Sequence, residues 1–83
     1  MSTNIILQIA ASQAVATGLM LENADHNPTG KEHVIGEILV AGGNAAAGFL
    51  QNNDGKLNAA MRAIRDAADS YLQSQGSSPA PQS

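Results

Sequence analysis

Apolar positions along the N-terminal stretch recur at helical spacing, with Leu7, Ala11, Ala14, Gly18 and Leu21 falling on one side of a 3.6-residue wheel while Gln8, Ser12 and Gln13 lie elsewhere. The pattern predicts a first helix over about residues 4–22, with Ser2 and Thr3 placed to cap it through their hydroxyls. Ile5, Ile6 and Ile9 widen the apolar face at its start, where their β-branching would equally suit a strand.

A polar interruption follows, "DHNPTGKEH", from Asp25 to His33. Pro28 disfavours helical geometry at Asn27, and Thr29-Gly30-Lys31-Glu32 has capping-box spacing, with Thr29 expected as the N-cap and Glu32 reaching back to its amide. The stretch therefore reads as a joint between two helices. The second is expected over about residues 30–51, with Ile35, Leu39, Gly42, Ala46 and Phe49 as its apolar line.

That second helix is rich in glycine. Gly36, Gly42, Gly43 and Gly48 each cost about 1 kcal/mol relative to alanine inside a helix. Close approach of a neighbouring backbone over Gly42, Gly43, Ala45, Ala46 and Ala47 would offset the cost, and Ala10, Ala14 and Gly18 offer a matching row on the first helix. The same glycines permit a break at Gly42-Gly43, giving two shorter helices.

"QNNDG", Gln51 to Gly55, favours a turn, with Asn53 or Asp54 able to cap what comes next. A third helix is expected from Gly55 to about Gln73, apolar at Leu57, Ala60, Met61, Ile64, Ala67, Ala68, Tyr71 and Leu72. Its other side holds Arg62 with Asp66 and Arg65 with Asp69, two i, i+4 pairs suited to a solvated face. The closing "SQGSSPAPQS" has too little apolar content to order itself, so a flexible Ser/Pro/Gln tail is expected over residues 74–83. The expected organisation is all-α: one helical domain over residues 1–73, either a three-helix bundle or a hairpin plus a helix, with short connections.

Composition adds one pressure to this picture. In 83 residues the chain has a single phenylalanine, a single tyrosine and no cysteine, and its 43% apolar content leans on alanine. A chain this small buries only about 60% of its unfolded surface. Alanine contributes far less than the roughly 1.5–3 kcal/mol of a buried leucine or phenylalanine. A lone subunit would have a thin core, so self-association or docking into a larger protein assembly is the expected remedy. The expected interface is the row Ile35, Leu39, Gly42, Gly43, Ala46, Ala47 and Phe49.

Charge and hydropathy narrow the partners. A net charge of −3 is the wrong sign for a phosphate-tracking surface, which disfavours nucleic acid. Ile5 to Leu21 carries no charge, but it includes Gln8, Ser12, Gln13 and Thr17, no lysine or arginine precedes it, and it is shorter than the ~20 residues of a span. Membrane insertion is therefore disfavoured, no secretion signal is recognised, and the expected location is the cytoplasm or a soluble assembly.

Candidate chemistry concentrates in the joint. His33 and Glu37 stand one helical turn apart, and Asp25 and His26 precede them, residue types that can bind zinc. The HExxH order is missing, however, and loop histidines beside capping residues commonly serve local hydrogen bonds. Glu37 is the only acid–base candidate on a mostly apolar helix and has no nucleophile–histidine constellation beside it. "AGGNAAAG" lacks the lysine and hydroxyl residue of a phosphate loop, while its Asn44 could bond across a helical interface or point to water. Neither a catalytic residue, a cofactor site nor a metal site is assigned.

The sequence thus leads to a non-catalytic structural or assembly subunit. Its short helices, small-residue seams and polar tail resemble small accessory subunits of larger assemblies, viral particles among them, without a family motif. Two other classes stay open: a small regulatory or inhibitor protein that docks an apolar helix face on its target, and a membrane-active hairpin of the first two helices.

Overall fold

A computed structural model describes residues 3–76 of the chain. Ser2 and residues 77–83, and with them most of the expected tail, lie outside the described residues. Three helices follow in order: α1 (Thr3–Ala24), α2 (Lys31–Leu50) and α3 (Asp54–Ser74). The all-α expectation with short connections holds. Thr3 is already helical, and α3 continues through Ser74 to a turn at Gln75 and Gly76, so order extends slightly past the expected start of the tail.

α2 is the centre of the arrangement. α1 and α3 each pack on α2 and do not meet each other, giving an open row of helices with extents of 47 × 27 × 19 Å. Both pairings are antiparallel: Gly18 lies against Gly36 and Val40 while the earlier Ala11 and Val15 lie against the later Gly43. On the other side, Gly48 meets Asn53 and Leu57 near the turn, and Val34 and Ile38 share a groove with Ala68 and Tyr71 at the far end.

Advancing about 100° per residue along α2 explains the row. Val34, Ala41, Ala45 and Gly48 fall on one side and face α3, whereas Gly36, Val40 and Gly43 fall nearly opposite and face α1. The expected α2 line of Ile35, Leu39, Gly42, Ala46 and Phe49 lies between these two sides and is not the intrachain core. The buried apolar set consists of Val34, Ala41, Ala45, Ala60 and Ala67, with no large side chain fully enclosed among the described residues.

The glycines set the spacing of the helices. A Cβ on Gly18 would lie 2.5 Å from the Gly36 carbonyl oxygen, and one on Gly43 would lie 2.7 Å from the Ala11 carbonyl oxygen. Such backbone contacts draw α1 and α2 together and offset the helical penalty of glycine through close dispersion contact. Ala14 and Gly18 join this seam as expected, but Ala10 is turned outward and exposed. α2 runs unbroken through Gly42-Gly43, because packing on both sides holds the segment helical.

The α2–α3 turn closes α2 and opens α3 with the same residues. Asn52 takes a left-handed φ of 54°, its amide donates to the Phe49 carbonyl, and the Asn53 amide donates to the Gly48 carbonyl at 2.8 Å. These are the two bonds of a Schellman ending, with asparagine where glycine is more usual. The Asn53 side chain then accepts from the Lys56 amide at 3.0 Å, capping α3 as the sequence suggests.

Candidate functional site

The polar joint is built differently from the expected capping box. Gly30, not Thr29, is the N-cap of α2 and makes no side-chain cap bond. Asn27 takes over the organising role: its Oδ1 accepts from both the Thr29 amide and the Thr29 hydroxyl at 3.2 Å. The Asp25 carboxylate accepts from the Asn27 amide at 3.0 Å. Two successive Asx turns thus win over the box, since each side chain satisfies an amide two residues on before Thr29 can reach Glu32. Gly30 packs directly on the Asp25 carboxylate, which would have to move to admit a side chain there.

His33 ties this joint to α2. Its Nδ1 lies 2.7 Å from the Asp25 carbonyl oxygen, which can only accept, so Nδ1 carries the proton. Its Nε2 lies 3.6 Å from the Glu37 carboxylate. The bond to the Asp25 carbonyl raises the His33 pKa above its ordinary 6.5, burial opposes that shift, and the nearby Glu37 and Glu22 charges add to it. His26 is exposed in the loop. Among the described residues no three histidine, cysteine, aspartate or glutamate side chains gather as a metal site. The His33 bond to the Asp25 carbonyl ties the end of α1 to the start of α2.

The seven expected interface residues divide between two places. Ile35, Leu39, Gly42, Ala46 and Phe49 lie along the outer stripe of α2, with Ile35 51% and Phe49 62% exposed. Gly43 and Ala47 turn toward α1 instead. Gly43 is buried beneath Val15, and Ala47 lines the α1–α2 groove with Val15 and Leu19. The seven cannot share one side because neighbouring positions 42 and 43, or 46 and 47, differ by about 100° on a helix.

α3 extends the outer stripe of α2. Beside Ile35 an open groove runs between the two helices, lined by Lys31, Val34, Ile38, Ala68, Tyr71 and Leu72. Leu72 and Met61 of α3 are themselves about half exposed. The other broad side of the molecule mixes alanines with polar and charged groups: its α2–α3 grooves hold Glu37, Asp66 and Ser70 beside Ala63 and Ala67, and farther along Asn44 and Lys56 beside Ala41, Ala59 and Ala60. Asn44 is exposed there, and its side chain makes no hydrogen bond among the described residues. Arg65 meets the adjacent Asp66 at 3.2 Å, and neither expected i, i+4 pair forms among the described residues.

α1 leaves a third apolar region. Gly18 is its one buried residue among those described, and Ile6, Ile9, Leu19 and Met20 are exposed, Met20 at 71%. Sequence reasoning missed this exposure, since the face it identified packs on α2 while the outer side carries Ile6, Ile9, Leu19 and Met20 among the polar Gln8, Ser12 and Gln13. By length and composition α1 and α2 are each long and apolar enough to cross a membrane, although one-third of the α2 window is buried inside the molecule.

No protein-family model, curated protein or solved structure matches the chain.

Proposed function

We propose that this chain is a non-catalytic structural subunit that completes its burial by associating with other protein chains, foremost with copies of itself. One observation carries the reading: nine large apolar side chains, Ile35 and Phe49 among them, are exposed, while the fully buried apolar set among the described residues is one valine and four alanines. Enclosed alanines contribute little, and a small domain with so slight a core gains stability chiefly by covering exposed apolar surface. The polar groups of the joint are engaged with one another and leave no arrangement of nucleophile, base and oxyanion donor.

Size-exclusion chromatography with light scattering tests the proposal on the full chain. A defined mass above the 8.5 kDa of one chain is the expected result. A monomer at all concentrations that captures a single heterologous protein would favour a regulatory binder, and complete partition into membranes would favour a lipid-embedded hairpin.

A further inference from the structure

We infer that the contact between copies is the broad apolar face carrying Ile35, Leu39, Gly42, Ala46 and Phe49, paired about a two-fold axis near Gly42 with the two α2 helices antiparallel. The inference rests on the self-association proposed above and names its surface.

Gly42 is the first support. Gly18, Gly36, Gly43 and Gly48 are each explained within the chain, because an added Cβ would strike a neighbouring helix or turn. A Cβ on Gly42 meets nothing within 4 Å. A glycine in mid-helix disfavours that helix unless something needs the space, and here the space opens outward.

The stripe is also self-complementary. With an axis at Gly42, residue numbers on opposed antiparallel helices sum to about 84. Ile35 then opposes Phe49 of the second copy, Leu39 comes beside Ala46, and the two Gly42 backbones meet. Large apolar groups then meet at the two ends of the contact and glycine backbones at its middle, with Leu39 over the small Ala46 between them. A two-fold contact uses the same patch twice, so like charges on it would repel. None of the five stripe residues is charged, and the adjoining groove has Lys31 as its one charged lining residue, whereas the opposite broad face carries Glu37, Lys56 and Asp66.

Area selects this face over the outer side of α1. A stable pair needs about 800 Å² from each partner. Extents of 47 × 27 Å give either broad side of the molecule a projected footprint on the order of 1,000 Å², so size admits a pair there and the charges on the opposite side choose between the two. The outer side of α1, about 33 Å long and about 10 Å across, offers roughly a third of that.

The test uses the full chain, whose lack of cysteine makes single-cysteine variants unambiguous. Light scattering is run on wild type, Ile35→Arg and Phe49→Arg, with circular dichroism to confirm retained helicity. Gly42→Cys and, on the α1 side, Ile9→Cys are oxidised and scored for covalent dimer. The expected result is a wild-type dimer whose dissociation constant rises more than about tenfold in either arginine variant, with crosslinking at position 42 and not at position 9. An oligomer that survives both arginine substitutions, or that crosslinks at position 9 alone, overturns this face and leaves the assembly reading standing. A wild-type monomer overturns both. Cosedimentation of monomer with phosphatidylcholine vesicles, lost in the arginine variants, would make lipid the occupant and overturn the pairing.

Discussion

Gly18 and Gly36 face each other across the α1–α2 seam so closely that a methyl group on either would lie 2.5 Å from the carbonyl oxygen of the other. The obstacle on each side is backbone, which cannot rotate away as a side chain can. An added carbon therefore has to push the helices apart along their length.

Gly18→Ala and Gly36→Ala should each destabilise the protein despite the roughly 1 kcal/mol that alanine gains in helix propensity. Overpacking a close contact typically costs about 1–3 kcal/mol, and with backbone on the far side the upper part of that range applies, for a net loss of about 1–2 kcal/mol. Urea unfolding followed by circular dichroism reads the change. An unaltered or higher midpoint in both variants would show that the helices are not in backbone contact.

The joint makes an ordered prediction about Asn27 and Thr29. Asn27 Oδ1 accepts two bonds and Thr29 contributes one hydroxyl to them, so Asn27→Ala should cost about 1 kcal/mol and Thr29→Ala no more than about 0.5 kcal/mol. A Thr29 N-cap would give the reverse order, since loss of a cap hydroxyl costs about 1 kcal/mol. Comparing the two melting temperatures in one buffer decides between the arrangements.

His33 should make stability depend on pH. Its pKa is raised in the folded state, chiefly by the bond to the Asp25 carbonyl, so the folded chain holds the proton more tightly than the unfolded one. The stabilisation is fully present below the unfolded value of 6.5 and is lost as pH rises through the higher folded value. Melting temperature should therefore fall between mildly acidic and mildly alkaline buffer in wild type, and this component should vanish in His33→Gln. A His33→Gln profile parallel to wild type would remove His33 as its source.

Asn52 and Asn53 divide the work of the α2–α3 turn, and substitutions should separate their roles. Asn53→Ala removes the acceptor for the Lys56 amide and should cost about 1 kcal/mol. Asn52→Gly should be tolerated, because glycine accepts the left-handed backbone at no steric cost, whereas Asn52→Val should destabilise by about 1–2 kcal/mol. Thermal unfolding of the three variants checks the ranking; equal losses for Gly and Val at position 52 would rule out the left-handed conformation.

Local features were readable where one stretch of chain supplies both halves of the pattern. The α1 packing face of Leu7, Ala11, Ala14, Gly18 and Leu21, the Asn53 cap and the limits of α3 all follow from spacing or from a side chain beside the amide it bonds. The capping box at Thr29 failed even locally, because Asp25 and Asn27 offer competing acceptors closer in sequence. The candidate site was less legible. Neighbours on α2 such as Gly42 and Gly43 carry the same side chain and the same local context, yet one faces open space and the other is pressed against Val15.

By itself the sequence determined three helices, the turns between them and the presence of glycine-permitted contacts, since periodicity, turn chemistry and backbone freedom act over a few residues. Tertiary structure alone decided which side of α2 each small residue serves, and that α1 and α3 flank α2 without meeting. The physical reason is that an apolar helix with small residues on several sides can be approached from any of them. Only the placement of α1 and α3 settles which sides are covered and which stripe is left facing out.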